Sequence, residues 1–537
     1  MTDLSKGCQA MQLSTVDRSV SPPGITIPRQ YNAAHDLIER NLSAGRGGKV
    51  AFIDDFGKHT YSDLAARANR IANALTGAGV LQEQRILLCV HDTFDFPSVF
   101  LGAIKAGIVP VAVNTLLTQS DYEYMLSDSR AQVAVVSHAL LPLFEPLLGK
   151  VPTLKRLVVA GAPESHSDSL VAFIRDASDV FPPAATTCDD ACFWLYSSGS
   201  TGAPKGTVHV HSSLIQTAEL FAVPMLGINE NDVVFSAAKL FFAYGLGNGL
   251  TFPMAVGATA VLMAERPTPD ATFKRMVDHQ PTIFYGAPTG YAGMLASPKL
   301  PAKSDVSLRL CSSAGEALPE EIGKRWKAHF DADIIDGLGS TEMLHVFLSN
   351  RVGDVRYGSS GKPVPGYAVR VVGDDGQPVA VGEPGELQVM GPTAAAFYWN
   401  NRAKTRGTFL GEWTRSGDKY TMTEDGYYIY AGRNDDMLKV SGIYVSPIEV
   451  ESVLITHDSV LEAAVVGVED SDKLIKPKAY VVLKEGFEAT PEMAEALKAH
   501  VKALLAPYKY PRWFEFVTDL PKTATGKIQR FKLRATK

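Results

Sequence analysis

A chain of 537 residues is longer than one ordinary hydrophobic core supports, so several domains are expected. Its 46% hydrophobic and 20% charged residues are those of a globular protein, and a formal charge of −6 argues against a general nucleic-acid binder. Five cysteines, odd in number and without metal-type Cys/His spacing, read as reduced thiols and point to a cytoplasmic setting rather than a disulfide scaffold.

In chain order, residues 1–24 mix charges, Ser and Pro around no apolar core and read as a flexible leader. From Lys49 to about Phe235, short β-rich runs (residues 50–53, 85–90, 132–137) alternate with helical patterns, among them a helix over residues 61–77. Such alternation predicts parallel βαβ units with right-handed crossovers. The most apolar window, residues 99–113, contains Lys105 and Pro110 and is too short to span a bilayer, so no membrane partner is expected. It reads as a buried helix, a stop at Gly107 and a strand.

An apolar strand-like run over residues 191–195 then meets Tyr196-Ser-Ser-Gly-Ser-Thr-Gly-Ala-Pro-Lys-Gly206, with a helix expected from near His211. Glycines allow positive φ and gather backbone N–H groups into a concave nest, hydroxyls add donors, and Lys205 adds a point charge. Such a loop suits a polyphosphate. It is not a Walker A loop, because Pro204 stands where that motif requires glycine. A flexible Gly/Ser linker is the competing reading.

Alternation resumes from Asp232 to about Glu342, with strands near residues 259–263 and 282–285. Within it, residues 239–248 (Lys-Leu-Phe-Phe-Ala-Tyr-Gly-Leu-Gly-Asn) are dense in aromatics and glycine; they suit either the wall of a flat pocket or ordinary core. Asp336-Gly-Leu-Gly-Ser-Thr-Glu342 follows two isoleucines and places Thr341 and Glu342 at a strand end, where α/β folds bind ligands. Glu342 offers a hard oxygen to Mg²⁺ and Thr341 a hydroxyl to an α-phosphate, while Ser340 or Thr341 also suits a helix cap. Residues 366–391 turn to strands and turns, predicting a small antiparallel barrel. The Asp418 carboxylate closes Trp413-Thr-Arg-Ser-Gly-Asp418 on a turn, from which it can accept both hydroxyls of a ribose. After residues 432–436 comes a tail of about one hundred residues, a size that suits a separate domain. It ends on Pro521-Lys-Thr-Ala-Thr-Gly-Lys527-Ile-Gln-Arg530, where Pro and Gly bracket a loop with Lys527 at its tip. A solvated basic tail is the alternative.

These segments, in this order, resemble the motifs of the adenylate-forming superfamily: acyl- and aryl-CoA ligases, peptide-synthetase adenylation domains and luciferases. The resemblance implies an α/β fold, with a large N-terminal domain of two α/β subdomains plus a small β-barrel (residues 25–432). A small α+β C-terminal domain on a hinge (residues 433–537) would follow. It implies ATP, Mg²⁺ and coenzyme A as the small-molecule complement. ATP would be held by Ser197, Ser198, Gly199, Ser200, Thr201, Gly202 and Lys205 on the loop, by Gly315, Glu316 and Asp336 beside the adenine, and by Asp418 and Arg433 at the ribose. Thr341 and Glu342 would serve the reacting phosphate and the metal, and Lys527 would bridge the substrate carboxylate and the α-phosphate. Asp435 would be the hinge and Gly442 would meet the pantetheine. Leu338 departs from the pattern, which usually has an aromatic there to flank adenine.

Residues 243–248 together with Glu342-Met-Leu-His345 are similar to benzoate-CoA ligases and their hydroxybenzoate and aminobenzoate relatives. By that likeness Ala243 and Tyr244 flank a ring, Ser313 to Gly315 form a wall and His345 closes the pocket. Few polar groups are evident in that lining, which favours benzoate over a hydroxylated acid. The implied reaction is ATP-dependent ligation of a small aromatic carboxylic acid to coenzyme A through an acyl-adenylate, by a monomer or homodimer. A stand-alone adenylation domain loading a carrier protein, and a nucleotide sensor with a degenerate site, are the alternatives.

Overall fold

Short runs rich in Val, Ile and Leu, buried on both faces, satisfy their backbone and side chains only inside a sheet covered by helices. The computed structural model describes residues 11–197, 204–433, 438–440, 443–470, 475–505, 509–522 and 528–535, and contains two such sheets. The first has seven strands in the order Phe397–Tyr398, Lys205–Val210, Ala191–Ser197, Val109–Ala112, Arg85–Cys89, Val133–Ser137, Arg156–Ala160. The last five are parallel, and Lys205–Val210 is antiparallel to both its neighbours. The second has nine strands in the order Lys362–Pro363, Val346–Ser349, Ile334–Gly339, Leu310–Ser313, Ile283–Gly286, Val233–Ser236, Thr259–Val261, Val50–Asp54, Gly57–Thr60. Its six inner strands, from Ile334–Gly339 to Val50–Asp54, are parallel.

Two features differ from the sequence reading. Val50–Asp54 does not join the strands that follow it in the first run of alternation; it pairs with Thr259–Val261, Phe52 opposite Ala260, in the second sheet. The glycine-rich loop does not lead from a strand into a helix. It tips a hairpin, because Lys205–Val210 is itself a strand with Gly206 opposite Tyr196, and the helix Ser212–Thr217 begins only after it.

Helix Tyr61–Gly77 starts at a capping box in which Thr60 and Asp63 satisfy each other's backbone N–H. Tyr61, Leu64, Ala68, Ile71, Ala72 and Leu75 recur at helical spacing and are buried. Each large one contributes roughly 1.5–3 kcal/mol of burial. After the second sheet comes an open antiparallel ladder, Ala368–Val372, Gly385–Met390 and Trp413–Met422, with Phe409–Leu410 and Tyr428–Arg433 sharing the far edge of the third strand.

The C-terminal part has a core of its own. Val460–Glu469 pairs antiparallel with Ile475–Leu483, which pairs parallel with Trp513–Phe516. Val450, Leu454, Val465, Val481, Leu497 and Val501 pack on one face of this sheet with Leu438 and Val445, and Ala464, Val466, Tyr480, Leu520 and Leu533 pack on the other.

At the other end, the segment expected as a flexible leader is tied down from Ser14 onward. Thr15–Asp17 pairs with Gly24–Thr26, Ser14 Oγ donates to Asp36 at 2.6 Å, and Arg18 grips the buried Glu219 at 2.8 Å. Among the described residues no helix is long and apolar enough to cross a membrane.

Candidate active site

The edge of the first sheet meets the turn that follows strand Ile334–Gly339 of the second, through His209 on Thr341 and Tyr398 on Glu342. Residues 198–203 lie outside the described residues, so Ser198, Gly199, Ser200, Thr201 and Gly202 have no described position. The roots of their hairpin are held by helix Gln119–Ser129. Tyr196 Oη donates to Asp128 at 2.7 Å, and Tyr124 Oη donates to the Pro204 carbonyl at 3.1 Å. Trp399 Nε1 adds a bond to the Asp128 carbonyl at 2.9 Å. Ser197 is buried at the end of its strand, 3.4 Å from the Thr207 hydroxyl.

The turn bearing Thr341 and Glu342 is fixed by residues that no motif flagged. His209, on the strand that starts at Lys205, places Nε2 2.8 Å from the Thr341 carbonyl. Burial lowers its pKa to about 4, so the ring is neutral, and a carbonyl partner assigns the proton to Nε2. Ala395 N–H donates to the Glu342 carbonyl at 2.7 Å, and Ser340 Oγ caps the turn by accepting from Met343 N–H at 3.2 Å. Tyr398 Oη donates to Glu342 Oε1 at 2.6 Å, and the Lys205 ammonium stands 4.8 Å from the centroid of the same tyrosine ring. The lysine of the glycine-rich hairpin and the acid of the turn thus meet on one aromatic side chain. Among the described residues no cluster of three metal-ligating side chains exists. A single hard carboxylate beside the glycine-rich hairpin fits Mg²⁺, which keeps its waters and takes its remaining ligands from a nucleotide's phosphates.

Asp336, at the base of the same turn, is 3% exposed with Oδ1 unpartnered, while Oδ2 accepts from Leu318 N–H at 3.5 Å. Burial pushes its carboxyl up to about 8, against the pull of the Ser313 hydroxyl and of the Leu318 and Gly337 N–H groups. An unpartnered buried acceptor fits an exocyclic amine such as that of adenine. Gly315, at φ +99°, is exposed just beyond strand Leu310–Ser313, with Glu316 half-buried beside it. Asp418 is buried and donates its N–H to Ser416 Oγ at 3.1 Å, with Arg433 opposite it in register on the next strand. The side chain of Arg433, and all of Asp435, Gly442 and Lys527, fall outside what is described.

The aromatic wall is built by a tight turn into a helix. A Cβ on Gly245 would lie 2.0 Å from the Lys239 carbonyl, and one on Gly247 would lie 2.5 Å from His345 Cδ2. Only glycine admits both approaches. The chain then winds through Ala243–Leu246 into a π-helical turn, Gly247–Thr251, a geometry frequent at functional sites. Ahead of it, Leu240 N–H donates to the buried Asp92 at 3.2 Å and Lys239 Nζ donates to the Glu265 carbonyl at 2.6 Å. Burial pushes the Asp92 carboxyl up to about 6, with Lys239 opposing it.

Tyr244 Oη donates to Ser312 Oγ at 3.1 Å, and its ring lies 5.4 Å from His345. His345 also packs on Phe252 at 4.5 Å and Phe221 at 5.2 Å, with Nε2 3.3 Å from the Tyr244 carbonyl. Burial lowers its pKa to about 3, so it is neutral, and Nδ1 has no partner. Ser313 is fully buried and Ala243 half-buried beside this cluster. Asn248 is fully buried in the turn that follows, its amide within reach of the Tyr244 hydroxyl.

His209, Tyr398 and Asn248 are the residues that motif reading missed. Asn248 had a signal, an amide closing an apolar segment, whereas Tyr398 reaches Glu342 across 56 positions in sequence.

Known proteins resemble this chain over most of its length. The family model of AMP-binding enzymes matches residues 39–399, and that of the AMP-binding enzyme C-terminal domain matches residues 449–527. A benzoate–CoA ligase of Thauera aromatica is 67% identical over 97% of this chain and 99% of its own length. A 4-hydroxybenzoate–CoA/benzoate–CoA ligase of Rhodopseudomonas palustris is 51% identical over 94% of each. Among solved structures, a benzoate CoA ligase from Burkholderia xenovorans LB400 superposes with a TM-score of 0.89 at 58% identity, covering 94% of this chain and 100% of that one. The anthranilate CoA ligase AuaEII in complex with anthranoyl-AMP gives 0.91 at 45% identity, covering 94% and 97%.

Proposed function

Because the chain belongs to the family of AMP-binding enzymes, we propose that it is an acid–thiol ligase that joins benzoate to coenzyme A through benzoyl-adenylate, releasing AMP and pyrophosphate. The observation that carries this reading is 67% identity to a benzoate–CoA ligase over 97% of the chain. The cage of Tyr244, Phe221, Phe252 and His345 supports it, since ring faces and edges of this kind pack against a flat acid.

In the first half-reaction the benzoate carboxylate attacks the α-phosphate of ATP, forming a C–O–P bond as the bond to pyrophosphate breaks. Residues 197–205 receive the β- and γ-phosphates, with Lys205 as their cation. Thr341 donates to the α-phosphate, Asp336, Gly315 and Glu316 lie along the adenine, and Asp418 and Arg433 hold the ribose. Glu342 holds Mg²⁺, which when bound neutralises phosphate charge. Lys527 bridges the attacking carboxylate and the α-phosphate, offsetting the repulsion between two anions. In the second half-reaction the coenzyme A thiolate attacks the acyl carbon and AMP leaves. No side-chain nucleophile takes part, so rate comes from orientation and charge.

Residues 25–432 form the acid- and nucleotide-binding domain. Residues 433–537 form a mobile domain that turns about Asp435, withdraws Lys527 and brings Gly442 to the pantetheine. The separate hydrophobic clusters of the C-terminal part support this division. The chain works in the cytoplasm as a monomer or homodimer; the thiols of Cys89, Cys188, Cys192 and Cys311, none in a disulfide, support the reducing setting.

A second reading, ligation of a hydroxybenzoate or aminobenzoate, is supported by the buried amide of Asn248 beside Tyr244 and by the 51% identity to a 4-hydroxybenzoate–CoA/benzoate–CoA ligase. Purified protein given ATP, Mg²⁺, coenzyme A and each acid in turn distinguishes the two. Benzoyl-CoA, AMP and pyrophosphate in equal amounts, fastest with benzoate, support the first; faster turnover of a substituted acid supports the second. Production of ADP contradicts both.

A further inference from the structure

Glu342 is half-exposed on its turn, and an acid in that position ordinarily samples several rotamers in water. Here one of its oxygens accepts a 2.6 Å bond from Tyr398, a side chain only 3% exposed. Tyr398 has little freedom to follow the acid. Its backbone lies in register with Thr207 on the hairpin strand, and its neighbours are pinned by Ala396 N–H to the Val208 carbonyl at 2.9 Å and Trp399 N–H to the Gly206 carbonyl at 2.7 Å. Its own N–H bonds to Thr405 Oγ1 at 3.1 Å, and its ring packs on Phe409 at 5.3 Å. The phenol is therefore a fixed donor with a charged acceptor, and the acceptor adapts to it. The face of the same ring receives the Lys205 ammonium at 4.8 Å, within cation–π range.

We infer that Tyr398 is the positioning residue that aims the Glu342 carboxylate at the divalent cation and ties it to Lys205 of the phosphate hairpin. The inference rests on the reading of Glu342 as the metal-holding acid. With Oε1 engaged by the phenol, Oε2 is the oxygen presented to the cation. The hairpin that receives the phosphates and the turn that receives the metal then move as one unit.

The Tyr398→Phe variant keeps the ring, its contact with Phe409 and its face toward Lys205, and removes the hydroxyl that donates to Glu342. The full-length protein is titrated with Mn²⁺ in the presence of a non-hydrolysable ATP analogue, and bound ion is read by electron paramagnetic resonance. Tyr398→Phe is expected to weaken Mn²⁺ binding about tenfold, the size of one hydrogen bond to a charged group. Benzoate affinity, measured on the same samples, is expected to shift less than twofold. Wild-type Mn²⁺ affinity in Tyr398→Phe, with clear loss in Glu342→Gln, overturns the role of Tyr398 alone. Wild-type affinity in both variants overturns the metal-holding role of Glu342 as well.

Discussion

An acid buried without a counter-charge leaves a signature in the pH dependence of stability, and Asp336 is such a group. Its folded pKa of about 8 lies above the ordinary carboxyl value, so across that interval the unfolded chain has released a proton that the folded chain keeps. Stability from this group is full below about pH 4 and falls as pH rises toward 8. Asp336→Asn is neutral at every pH and escapes the loss. Its melting temperature relative to wild type is expected to climb by several degrees between pH 5 and 8, as measured by calorimetry; a constant difference over that range contradicts the assignment.

Asn248 poses the complementary case, a fully buried amide that bears the cost of desolvation beside the Tyr244 hydroxyl. Asn248→Leu removes that cost and is expected to retain benzoate turnover within about threefold while lowering turnover of hydroxy- and aminobenzoates about tenfold or more. Parallel loss of all the acids in a pyrophosphate-release panel removes Asn248 from ring discrimination.

Local patterning foretold several elements closely and their partners poorly. Helix Tyr61–Gly77 was legible because its cap, its apolar spacing and its end are all local. The sheet joined by Val50–Asp54 was not, since pairing with Thr259–Val261 depends on a contact some two hundred residues away. Lys205–Val210 read as part of a loop because six residues after a glycine-rich run carry little period of their own. The same limit hid Tyr398, on a two-residue strand that exists only by pairing with that hairpin. Motif order, by contrast, singled out Asp336, Glu342, Tyr244 and His345, because such chemistry constrains which residue types stand beside glycine turns, and the fold packs Tyr244 against His345.

One element-scale contact bears on the C-terminal loop. Glu451, on helix Pro447–Ile455, accepts from Val465 N–H at 2.7 Å and from Arg530 at 2.7 Å, and both side chains are largely buried. The pair fixes Arg530 three positions beyond Lys527. Glu451→Ala removes the carboxylate that pairs with the buried Arg530 and is expected to destabilise the C-terminal sheet by about 3 kcal/mol. Hydrogen exchange is then faster in Val460–Glu469 and unchanged in Arg85–Cys89; equal acceleration in both strands contradicts an independent C-terminal core.

At the scale of the whole molecule, the proposed function divides one reaction between two settings of the chain. Orientation on the large domain would make the adenylate, and withdrawal of Lys527 with arrival of Gly442 would make the thioester. The residues that serve the first step are therefore separable from those that serve the second, and Lys527 is the sharpest case. The most direct measurement compares the two half-reactions in Lys527→Ala. Benzoate-dependent ATP–pyrophosphate exchange is predicted to fall by at least a hundredfold, while thioester formation from supplied benzoyl-adenylate and coenzyme A stays near the wild-type rate. Equal loss of both half-reactions, or retention of the exchange, would contradict the account.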